Sequence, residues 1–506
     1  MDRPRLPLGD YWQLLLTHNL IPTPAALSAD LSRAVPLVSC DSRAVIPGTL
    51  FICKGAAFHS GYLREAADRG AVAYISEILY PDVPQLPCIL VSDIRRAMAL
   101  LADRAWGHPS GAIPITGITG TKGKTTVAYF LKSILDCWRQ RRGEGPTAIL
   151  STIVTDDGLE RRSAKLTTPE PLDLQRHLWN AVNADAGFVT MEVSSQALKY
   201  HRVTGVEFAT AVFLNIGEDH ISPVEHPDFE DYFSSKLMLF RQAERACVNL
   251  DCDFSDRVLA AAQACPQVVA FSRTDPAAHI FADQILSRPG SISFRVRTPR
   301  YTREMVLPMS GIFNVDNALA AIAVAEGYGV DEESVIEGLG RALVPGRMET
   351  YASADGTITV IVDYAHNGMS LEALLSSARA EYPDRQLTVL FGCTGGKGLD
   401  RREGMGSAAG RWADRILLTE DDPGSEEVTD ICNHIGRYIA PHGKGWTTII
   451  DREKAIAAAI LEADRPAVVL LAGKGSEQTQ KRENGPEPCA PDGMLARKVL
   501  DKYDAR

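Results

Sequence analysis

The sequence lacks the features that would place it in a membrane, in an oxidising compartment or on nucleic acid. No segment of the 506 residues has the run of about 18 apolar side chains that a membrane span requires. The ten cysteines include no CxxC pair and no metal-finger spacing, so we expect reduced thiols. Acidic residues (64) outnumber basic ones (53), which leaves no global field to attract nucleic acid. The opening "MDRPRLPLGDYWQLLLTHNL" has no signal-peptide pattern, because Asp10 interrupts a short apolar run, and we expect a cytoplasmic protein.

A chain of this length exceeds what one hydrophobic core serves, and its apolar runs fall into three groups. Residues 1–112 alternate short apolar runs with helical stretches, which is typical of a small α/β domain. Residues 113–342 contain the apolar strands "GFVTMEVSS" and "ATAVFLNIG", and residues 343–506 contain four more, from "ITVIVDYAH" to "AVVLLAGKGS". Each strand ends in a polar or glycine-rich loop, as in nucleotide-binding sheets. We predict a three-domain α/β protein with a central P-loop-type parallel sheet and a C-terminal doubly wound, Rossmann-like sheet.

The stretch "GITGTKGKTT" has the residue types of a strand, a turn and a helix start, and we interpret the turn as a phosphate-binding loop. Backbone N–H groups at a helix start bind anions, while a lysine and a hydroxyl supply a counter-charge and a magnesium ligand. The strict G-x-x-x-x-G-K pattern fails because Ile118 replaces its first glycine, so Gly117 and Gly120 bracket a variant loop. A glycine turn without a ligand is the alternative. The predicted phosphate-binding residues are Gly120, Thr121, Lys122, Gly123, Lys124, Thr125 and Thr126.

Two strand ends in the central segment carry groups that can coordinate magnesium. Glu192 ends one strand, and Asp219 and His220 follow the next. A solvated carboxylate and a structural histidine are the alternatives for each residue taken alone. Because the ends of parallel strands meet at one edge of a sheet, Glu192 and His220 together with the loop predict one ion-rich site.

Lys236, in "PDFEDYFSSKLMLF", has aromatic residues on both sides in the sequence. The spacings of Phe229, Tyr232, Phe233 and Phe240 place them with Lys236 on one face of a helix. Poor solvation on such a face lowers the pKa of a lysine and makes its amine nucleophilic. Reaction with carbon dioxide would then give a carbamate able to hold a second magnesium ion. A lysine that extends to water is the alternative.

Three further residues have both a ligand-binding and a structural interpretation. Asn317, at a predicted helix start, pairs with an adenine edge or caps the helix. Arg347 follows a hinge-like glycine and is a candidate clamp on a terminal phosphate. Asp363 ends a strand and can accept hydrogen bonds from ribose hydroxyl groups. For each of them a purely structural role is the alternative.

Taken in order, these pieces resemble the Mur ligase family of ATP-dependent amide-bond-forming enzymes, which act in peptidoglycan precursor synthesis. The motifs span nearly the whole chain: "DSRAVIPGTLF", "GTKGKTT", "TTPEPLDLQ", "MEVSSQALKYHRV", "FLNIGEDH", "YFSSK", "FNVDNALAA", "VPGRME", "VDYAHN" and "AGKGSE". "DSR" and "TTPEPL" favour the branch that adds the third residue to UDP-N-acetylmuramoyl-L-alanyl-D-glutamate. The resemblance implies that residues 1–112 bind the UDP-sugar, 113–342 bind ATP and 343–506 bind the amino acid.

The resemblance also implies roles for individual residues. The UDP-N-acetylmuramoyl dipeptide would contact Ser42, Thr167, Thr168, Ser194 and Arg202. ATP would contact the loop from Gly120 to Thr126 together with Asn317, Arg347 and Asp363. Mg²⁺ would be held by Thr125, Glu192, His220 and a carbamylated Lys236, and the catalytic residues would be Lys124, Lys236, His220 and Glu192. The implied reaction proceeds through an acyl phosphate, in a protein that we expect to be a monomer.

The stretch that would select the incoming amino acid departs from the pattern of diaminopimelate-adding relatives. Those carry D-N-P-R, whose arginine binds the distal carboxylate, whereas this chain has Asp421-Asp422-Pro423-Gly424. Loss of a cation and gain of Asp422 favour a distal amine, so we expect lysine, with ornithine and meso-diaminopimelate as alternatives. The cations that could restore a carboxylate site are Lys397, Arg401 and Arg402. The predicted amino-acid contacts are Asp421, Asp422, Gly473 and Glu477.

Two other classes of protein remain as alternatives at this point. A P-loop NTPase that couples hydrolysis to motion would leave the first domain unexplained, and no arginine-finger pattern is visible. A non-catalytic binding protein with a ligase fold is disfavoured because the predicted catalytic residues Lys124, Glu192, His220 and Lys236 are all present.

Overall fold

The computed structural model describes residues 3–22, 29–55, 58–219, 221–222, 225–396, 398–463 and 466–505. The N-terminal part of the chain, up to residue 112, contains a parallel sheet of four strands, β3 to β6 in sequence order, and an antiparallel pair, β1 and β2. Its elements are β1 (Leu6–Pro7), α1 (Leu8–Thr17), β2 (Ala34–Val35), β3 (Val38–Ser39), β4 (Leu50–Ile52), α2 (Ser60–Asp68), β5 (Ala73–Ser76), β6 (Cys88–Leu90) and α3 (Ile94–Ala105). Short 3₁₀ helices cover Ser42–Ala44 and Pro109–Ala112.

The central segment contains eleven strands and seven helices within the described residues. The strands are β7 (Ile115–Thr119), β8 (Ala148–Leu150), β9 (Val154–Asp156), β10 (Arg161–Ser163), β11 (Val189–Glu192), β12 (Phe208–Phe213), β13 (Ala243–Asn249), β14 (Gln267–Ser272), β15 (Ile280–Arg288), β16 (Ser291–Arg297) and β17 (Thr302–Leu307). The helices are α4 (Lys124–Arg141), α5 (Pro171–Asn183), α6 (Ser195–Lys199), α7 (Phe229–Leu237), α8 (Ser255–Ala262), α9 (Phe313–Gly327) and α10 (Glu332–Arg341). A 3₁₀ helix, Met238–Gln242, follows α7 directly.

The parallel core of this segment runs in the strand order β8-β11-β7-β12-β13. The β9–β10 hairpin extends it antiparallel at β8. In the same sheet β14 pairs in parallel with β15, and β15, β16 and β17 form an antiparallel meander. The parallel order brings the ends of β7 and β11 together, since Glu192 is paired with Ile118, and this confirms the predicted P-loop-type parallel sheet.

Gly117 has a different role from the one predicted, because it lies inside β7 rather than in the loop. A Cβ atom at this position would lie 2.7 Å from the ring of Phe208 on the neighbouring strand β12. The glycine therefore makes room for an aromatic side chain within the sheet and does not bracket a phosphate.

The C-terminal segment is a doubly wound sheet, as predicted. Five parallel strands run in the order β19-β23-β20-β21-β22, and β18 pairs antiparallel with β19. The strands are β18 (Glu349–Ala352), β19 (Ile358–Asp363), β20 (Gln386–Phe391), β21 (Arg415–Leu418), β22 (Thr447–Thr448) and β23 (Ala467–Ala472), followed by a hairpin of β24 (Thr479–Arg482) and β25 (Gly485–Pro488). The helices are α11 (Gly368–Glu381), α12 (Leu399–Trp412), α13 (Val428–Ile439), α14 (Arg452–Leu461) and α15 (Asp492–Asp504), with a 3₁₀ turn at Ala440–His442.

The chain divides into two compact units, Met1–Thr121 with Arg139–Val248 and Asp253–Val269, and Lys122–Trp138 with Asn249–Cys252 and Ala270–Arg506. Most of α4 belongs to the second unit because it packs closely on α10. Ser133 Oγ donates to the Gly338 carbonyl at 2.7 Å, and a Cβ on Gly338 would lie 2.4 Å from the Ile134 Cα. The predicted domain limits at residues 112 and 342 stay a prediction.

Two expectations about the whole chain can be compared with the structure. No helix in the described part of the chain is both long and apolar enough to cross a bilayer. All ten cysteines are free thiols, and six of them are buried, as expected for reduced residues that fill the core.

Candidate active site

The predicted phosphate loop joins the end of β7 to the start of α4. Gly120 and Gly123 have φ angles of +152° and +86°, which side chains rarely tolerate. A Cβ on Gly120 would also approach the Leu214 Cβ to 3.0 Å. Lys124 begins the 18-residue helix α4, with Thr125 and Thr126 in its first turn. The loop therefore has the backbone and the long helix N-terminus that suit an anion.

Lys236 contacts this loop directly. Its side chain is only 2% exposed, and Nζ donates to the Gly120 carbonyl at 2.9 Å. Nζ also lies 4.6 Å from the ring centroid of Tyr232, whose hydroxyl is 3.1 Å from Thr121 Oγ1. Burial raises the pKa of the Tyr232 hydroxyl, which stays neutral. The structure thus excludes the alternative of a lysine that extends to water.

The predicted single aromatic helix face around Lys236 is wrong in part. α7 ends at Leu237, and Phe240 lies in the following 3₁₀ helix, because the chain turns into β13 at Ala243. Phe240 stacks on Phe213 at 6.2 Å, and Phe233 lies under the guanidinium of Arg257 at 4.6 Å.

Glu192, a predicted magnesium ligand, is the last residue of β11. It is 1% exposed, and Thr152 donates to both of its carboxylate oxygens, from the backbone N at 2.8 Å and from Oγ1 at 3.1 Å. Thr152 Oγ1 also lies 3.2 Å from the Thr167 hydroxyl. Carboxylate oxygens such as those of Glu192 are among the ligands that magnesium prefers.

The residues predicted for the muramoyl dipeptide converge on Glu192. Thr168 Oγ1 donates to the Glu192 carbonyl at 2.9 Å and accepts from the Ser194 backbone N at 3.1 Å. Arg202 donates to the Thr168 carbonyl at 3.3 Å and forms an ion pair with Glu170 at 2.8 Å. Thr167, Thr168, Ser194 and Arg202 therefore belong to one hydrogen-bonded cluster, although they come from three different segments of the sequence.

Glu170 and Lys54 are members of this cluster that sequence reasoning missed. Lys54, from the first segment, forms a short ion pair with Glu170. Burial opposes the charge of Glu170, but the bond from Lys54 and the charge of Arg202 lower the pKa of the carboxyl overall. Ser42, also in the first segment, donates to Glu65 at 2.6 Å. Its predicted contact with the UDP group stays a prediction.

The predicted magnesium ligands are a carboxylate, a hydroxyl, an imidazole and a lysine that would need carbamylation, and all except the imidazole offer the hard oxygen donors that magnesium prefers. Glu192 and Lys236 are both buried, as is Thr125. His220 lies outside the described residues. The donor set fits the ion, and the roles of these four residues stay predictions.

Another cluster has metal-ligand spacing, formed by Asp157, Glu160 and His177. Asp157 already accepts from His177 at 2.5 Å, and its other oxygen accepts two backbone N–H groups. His177 Nε2 faces the guanidinium groups of Arg162 and Arg176 at 2.7 and 3.3 Å. Two cations where a metal would bind make this a buried ionic network, not a metal centre.

The residues of the second unit that are predicted to contact ATP lie in different parts of its fold. Asn317 is not a helix cap, because α9 begins at Phe313, and its amide donates to Asn314 Oδ1 at 2.9 Å inside the helix. Arg347 lies over the Tyr364 ring at 4.4 Å. Asp363 accepts from the backbone N of Met348 and Ala365, both at 2.9 Å. Burial raises the pKa of Asp363, while the charges of Arg347 and Lys122 lower it.

Gly346, next to Arg347, is tightly packed rather than an open hinge. Its φ is +64°, and a Cβ there would lie 2.4 Å from the Ser476 backbone N. The segment before Arg347 is therefore pressed against the loop that carries Glu477.

The predicted amino-acid residues surround a buried lysine that sequence reasoning missed. Lys474 Nζ donates to Asp422 Oδ1 at 2.9 Å and pairs with Glu477 at 2.6 Å. Glu477 also accepts from the Tyr364 hydroxyl at 2.8 Å. A Cβ on Gly473 would lie 2.6 Å from Asp421 Oδ2, so the glycine lets the Asp421 carboxylate approach the backbone. Asp422 and Glu477 thus pair with one ammonium group, whose charge also acts on Asp421, and the cluster favours a cationic ligand.

Buried charge within this cluster shifts its acid–base behaviour. Burial raises the pKa of Asp421 to about 6, although the charges of Arg452 and Lys474 act in the opposite direction. Arg452 is itself paired with Asp492 through two bonds of 2.8 and 2.6 Å.

Two of the cations near Gly424, Arg402 and Arg482, are paired with other carboxylates. Arg402 is buried and forms bonds of 2.8 and 2.7 Å with Glu426, so it does not swing inward. Arg482 forms a backbone bridge with Gly424, but its guanidinium pairs with Glu420 at 2.7 Å. Lys397 lies outside the described residues, and Arg401 is half-buried.

Comparisons with known proteins agree with this geometry. The Mur ligase middle domain matches residues 118–325, and the Mur ligase glutamate ligase domain matches residues 346–475. A UDP-N-acetylmuramoyl-L-alanyl-D-glutamate–L-lysine ligase of Enterococcus faecalis is 40% identical over 93% of this chain and 92% of its own length.

The chain belongs to the Mur ligase family. The solved structure of a UDP-N-acetylmuramoyl-L-alanyl-D-glutamate–2,6-diaminopimelate ligase has the same fold, with a TM-score of 0.66 at 24% identity over 99% of both chains. The ADP complex of the MurF ligase from Thermotoga maritima gives a TM-score of 0.59 at 18% identity, over 92% of this chain and 98% of that one. This Mur ligase is an enzyme of the amide-forming class, and ATP use fits the family.

Proposed function

We propose that this Mur ligase adds L-lysine, as the third amino acid, to UDP-N-acetylmuramoyl-L-alanyl-D-glutamate, with ATP as the second substrate and an acyl phosphate as intermediate. The observation that carries the proposal is the cluster around Glu192, in which Thr167, Thr168, Ser194 and Arg202 meet beside a buried carboxylate. Hydroxyl, backbone and guanidinium groups in one cluster suit a carboxylate-bearing peptide.

In the first step the γ-carboxylate of D-glutamate attacks the terminal phosphorus of ATP, and ADP leaves. The glycine-rich loop and Lys124 offset the negative charge of the phosphates, so that a second anion can approach. Arg202 and the Thr168–Ser194 pair hold the peptide so that its carboxylate points at the phosphate. In the second step the amine of the incoming amino acid attacks the acyl phosphate and expels phosphate.

Magnesium, when bound, supplies positive charge that stabilises the transferring phosphoryl group. Thr125, Glu192, His220 and carbamylated Lys236 would hold it. Lys236 is buried with its Nζ at the Gly120 carbonyl, so a carbamate on this residue would lie at the phosphate loop.

The preference for lysine rests on the charge around Lys474. The carboxylates Asp421, Asp422, Glu477 and Asp492 outnumber the cations Lys474 and Arg452. Gly424 offers no side chain, and Arg402 and Arg482 are already paired. A distal ammonium group fits such a cluster, whereas a second carboxylate would lack a cation. The E. faecalis relative carries L-lysine in its name, which supports the same choice. Ornithine and meso-diaminopimelate are the competing substrates.

Phosphate release from ATP tests the proposal. The purified protein is assayed with and without the dipeptide nucleotide and with lysine, ornithine or meso-diaminopimelate. We expect release only when the nucleotide and lysine are both present. Release without them would indicate a P-loop NTPase, and no release with any amino acid would indicate a binding protein. We further propose a cytoplasmic monomer, which size-exclusion chromatography with light scattering tests.

A further inference from the structure

His226 connects two side chains from different helices of the first unit. Its Nε2 lies 3.0 Å from Ser195 Oγ, and its Nδ1 lies 2.6 Å from Asp231 Oδ2. The order Ser-His-Asp is that of a hydrolase triad. Burial excludes that function, because His226 is fully buried and Ser195 is 3% exposed, so a substrate carbonyl cannot reach the hydroxyl.

The partners of His226 define how it is bonded. Asp231 also accepts from Lys199 Nζ at 2.6 Å, and that bond lowers the pKa of the Asp231 carboxyl, although burial opposes it. An ionised carboxylate accepts only, so His226 Nδ1 carries the hydrogen. In the neutral ring Nε2 then accepts from the Ser195 hydroxyl. The ring of Tyr232 packs edge-on against the imidazole at 5.2 Å.

These bonds tie the start of α6 to the first turn of α7. Ser195 follows Ser194, whose side chain caps α6 and whose backbone bonds to Thr168. Asp231 lies on α7, which also carries Lys236.

A second set of contacts joins the same two segments. Gln196 Nε2 donates to Glu225 Oε1 at 3.1 Å, and Lys199 Nζ donates to the Glu225 carbonyl at 3.2 Å. His226 is buried within this connection, which links the segment of Ser194, a predicted dipeptide contact, to the helix of Lys236, a predicted metal ligand.

We propose that His226 is a positioning residue of the ligase reaction, which holds Ser194 and Lys236 at a fixed separation so that the acceptor carboxylate is aligned with the terminal phosphate. This inference rests on the proposed function. Because a displacement of about 1 Å can cost on the order of a hundredfold in rate, loss of the connection should lower kcat. The KM for ATP should change little, since the phosphate loop keeps its own backbone geometry.

The test measures kcat and both nucleotide KM values for Ser195→Ala, His226→Leu and the double variant. The matched control is Ser234→Ala, which removes a serine–carboxylate bond of 3.0 Å on the exposed side of α7. We expect kcat to fall about tenfold or more for each test variant, and the double variant to lose no more than His226→Leu alone. His226→Gln, which keeps an amide near Ser195, should recover part of the loss, and Ser234→Ala should match the wild type.

Assays are run well below the melting temperature of each variant, so that a loss of substrate alignment is distinguished from a loss of folded protein. If His226→Leu does not fold, Ser195→Ala removes one hydroxyl only and decides the question. Folded variants with kcat within about threefold of wild type would overturn the inference and leave the proposed function intact. A wild-type protein without lysine-dependent ligation would overturn both.

Discussion

The Glu192 cluster of the first unit and the Lys474 cluster of the second are built from different interactions. Around Glu192 the contacts are hydroxyl and backbone hydrogen bonds, such as those from Thr152 and Thr168. Around Lys474 they are ion pairs among Asp422, Glu477 and the ammonium group. The first cluster would bind a substrate shared by a whole branch of ligases, whereas the second would discriminate between amino acids.

This difference indicates where each property can be changed. Directional hydrogen bonds fix geometry, so substitutions in the first cluster should affect the rate of the reaction. Buried charges set which ligand charge is accepted, so substitutions in the second should affect substrate choice and the pH dependence of stability.

The largest expected effect comes from Lys124 of the predicted phosphate loop. Lys124→Ala should lower phosphate release by on the order of a hundredfold or more, because Lys124 is the first residue of α4, whereas Lys122 lies outside the helix. Release is measured with all substrates saturating. A variant that keeps more than about a tenth of wild-type activity, a loss of only ~1.4 kcal/mol, would remove Lys124 from the mechanism.

Lys236→Ala should be nearly as inactive and should remain folded. A short carboxylate such as formate, added to the assay, should restore part of the activity by replacing the carbamate. Lys132→Ala, which removes an ammonium group from a partly buried ion pair on α4, is the control. An absence of carboxyl modification on Lys236 in a nucleotide-bound crystal structure would contradict the assignment.

Substrate choice tests the second cluster. The wild type should prefer lysine to meso-diaminopimelate by on the order of a hundredfold in kcat/KM, since an unpaired carboxylate near Asp422 loses its hydration. Gly424→Arg should narrow that ratio. A Cβ at this position meets no atom within 4 Å, although its φ of +60° disfavours a side chain. Equal use of both amino acids by the wild type would show that another cation serves the distal carboxylate.

The smallest effect concerns the stability of the second cluster. The pKa of Asp421 is about 6 in the folded protein, above the value of about 4 in an unfolded chain. Below pH ~4 the Asp421 carboxyl is protonated in both the folded and the unfolded protein. As the pH rises, the unfolded chain loses this proton first, so the folded protein becomes less stable. The full loss of stability is reached above pH ~6.

Asp421→Asn removes this penalty, so its gain in stability over the wild type should be about 2 kcal/mol larger at pH 8 than at pH 4. Melting curves at several pH values measure the difference. A difference that does not change with pH would mean that Asp421 titrates normally.

The sequence predicted those parts of the site that depend on local rules. Gly120 and Gly123 adopt the backbone that a phosphate loop demands, and the strands precede polar loops as expected. Gly117 was misassigned because a glycine is needed there to make room for the ring of Phe208, on another strand and some ninety residues away in the sequence. Lys474 was missed because its partner Asp422 is far away along the chain, and no periodicity marks such a contact.

The close approach of Gly346 to Ser476 couples these two positions sterically. A side chain at 346 would collide with the backbone N of residue 476, so its tolerance depends on where the Glu477 loop lies. We therefore expect epistasis: a substitution at 346 that is harmful alone becomes acceptable when the loop is remodelled, and a library that randomises the loop alone will miss those combinations.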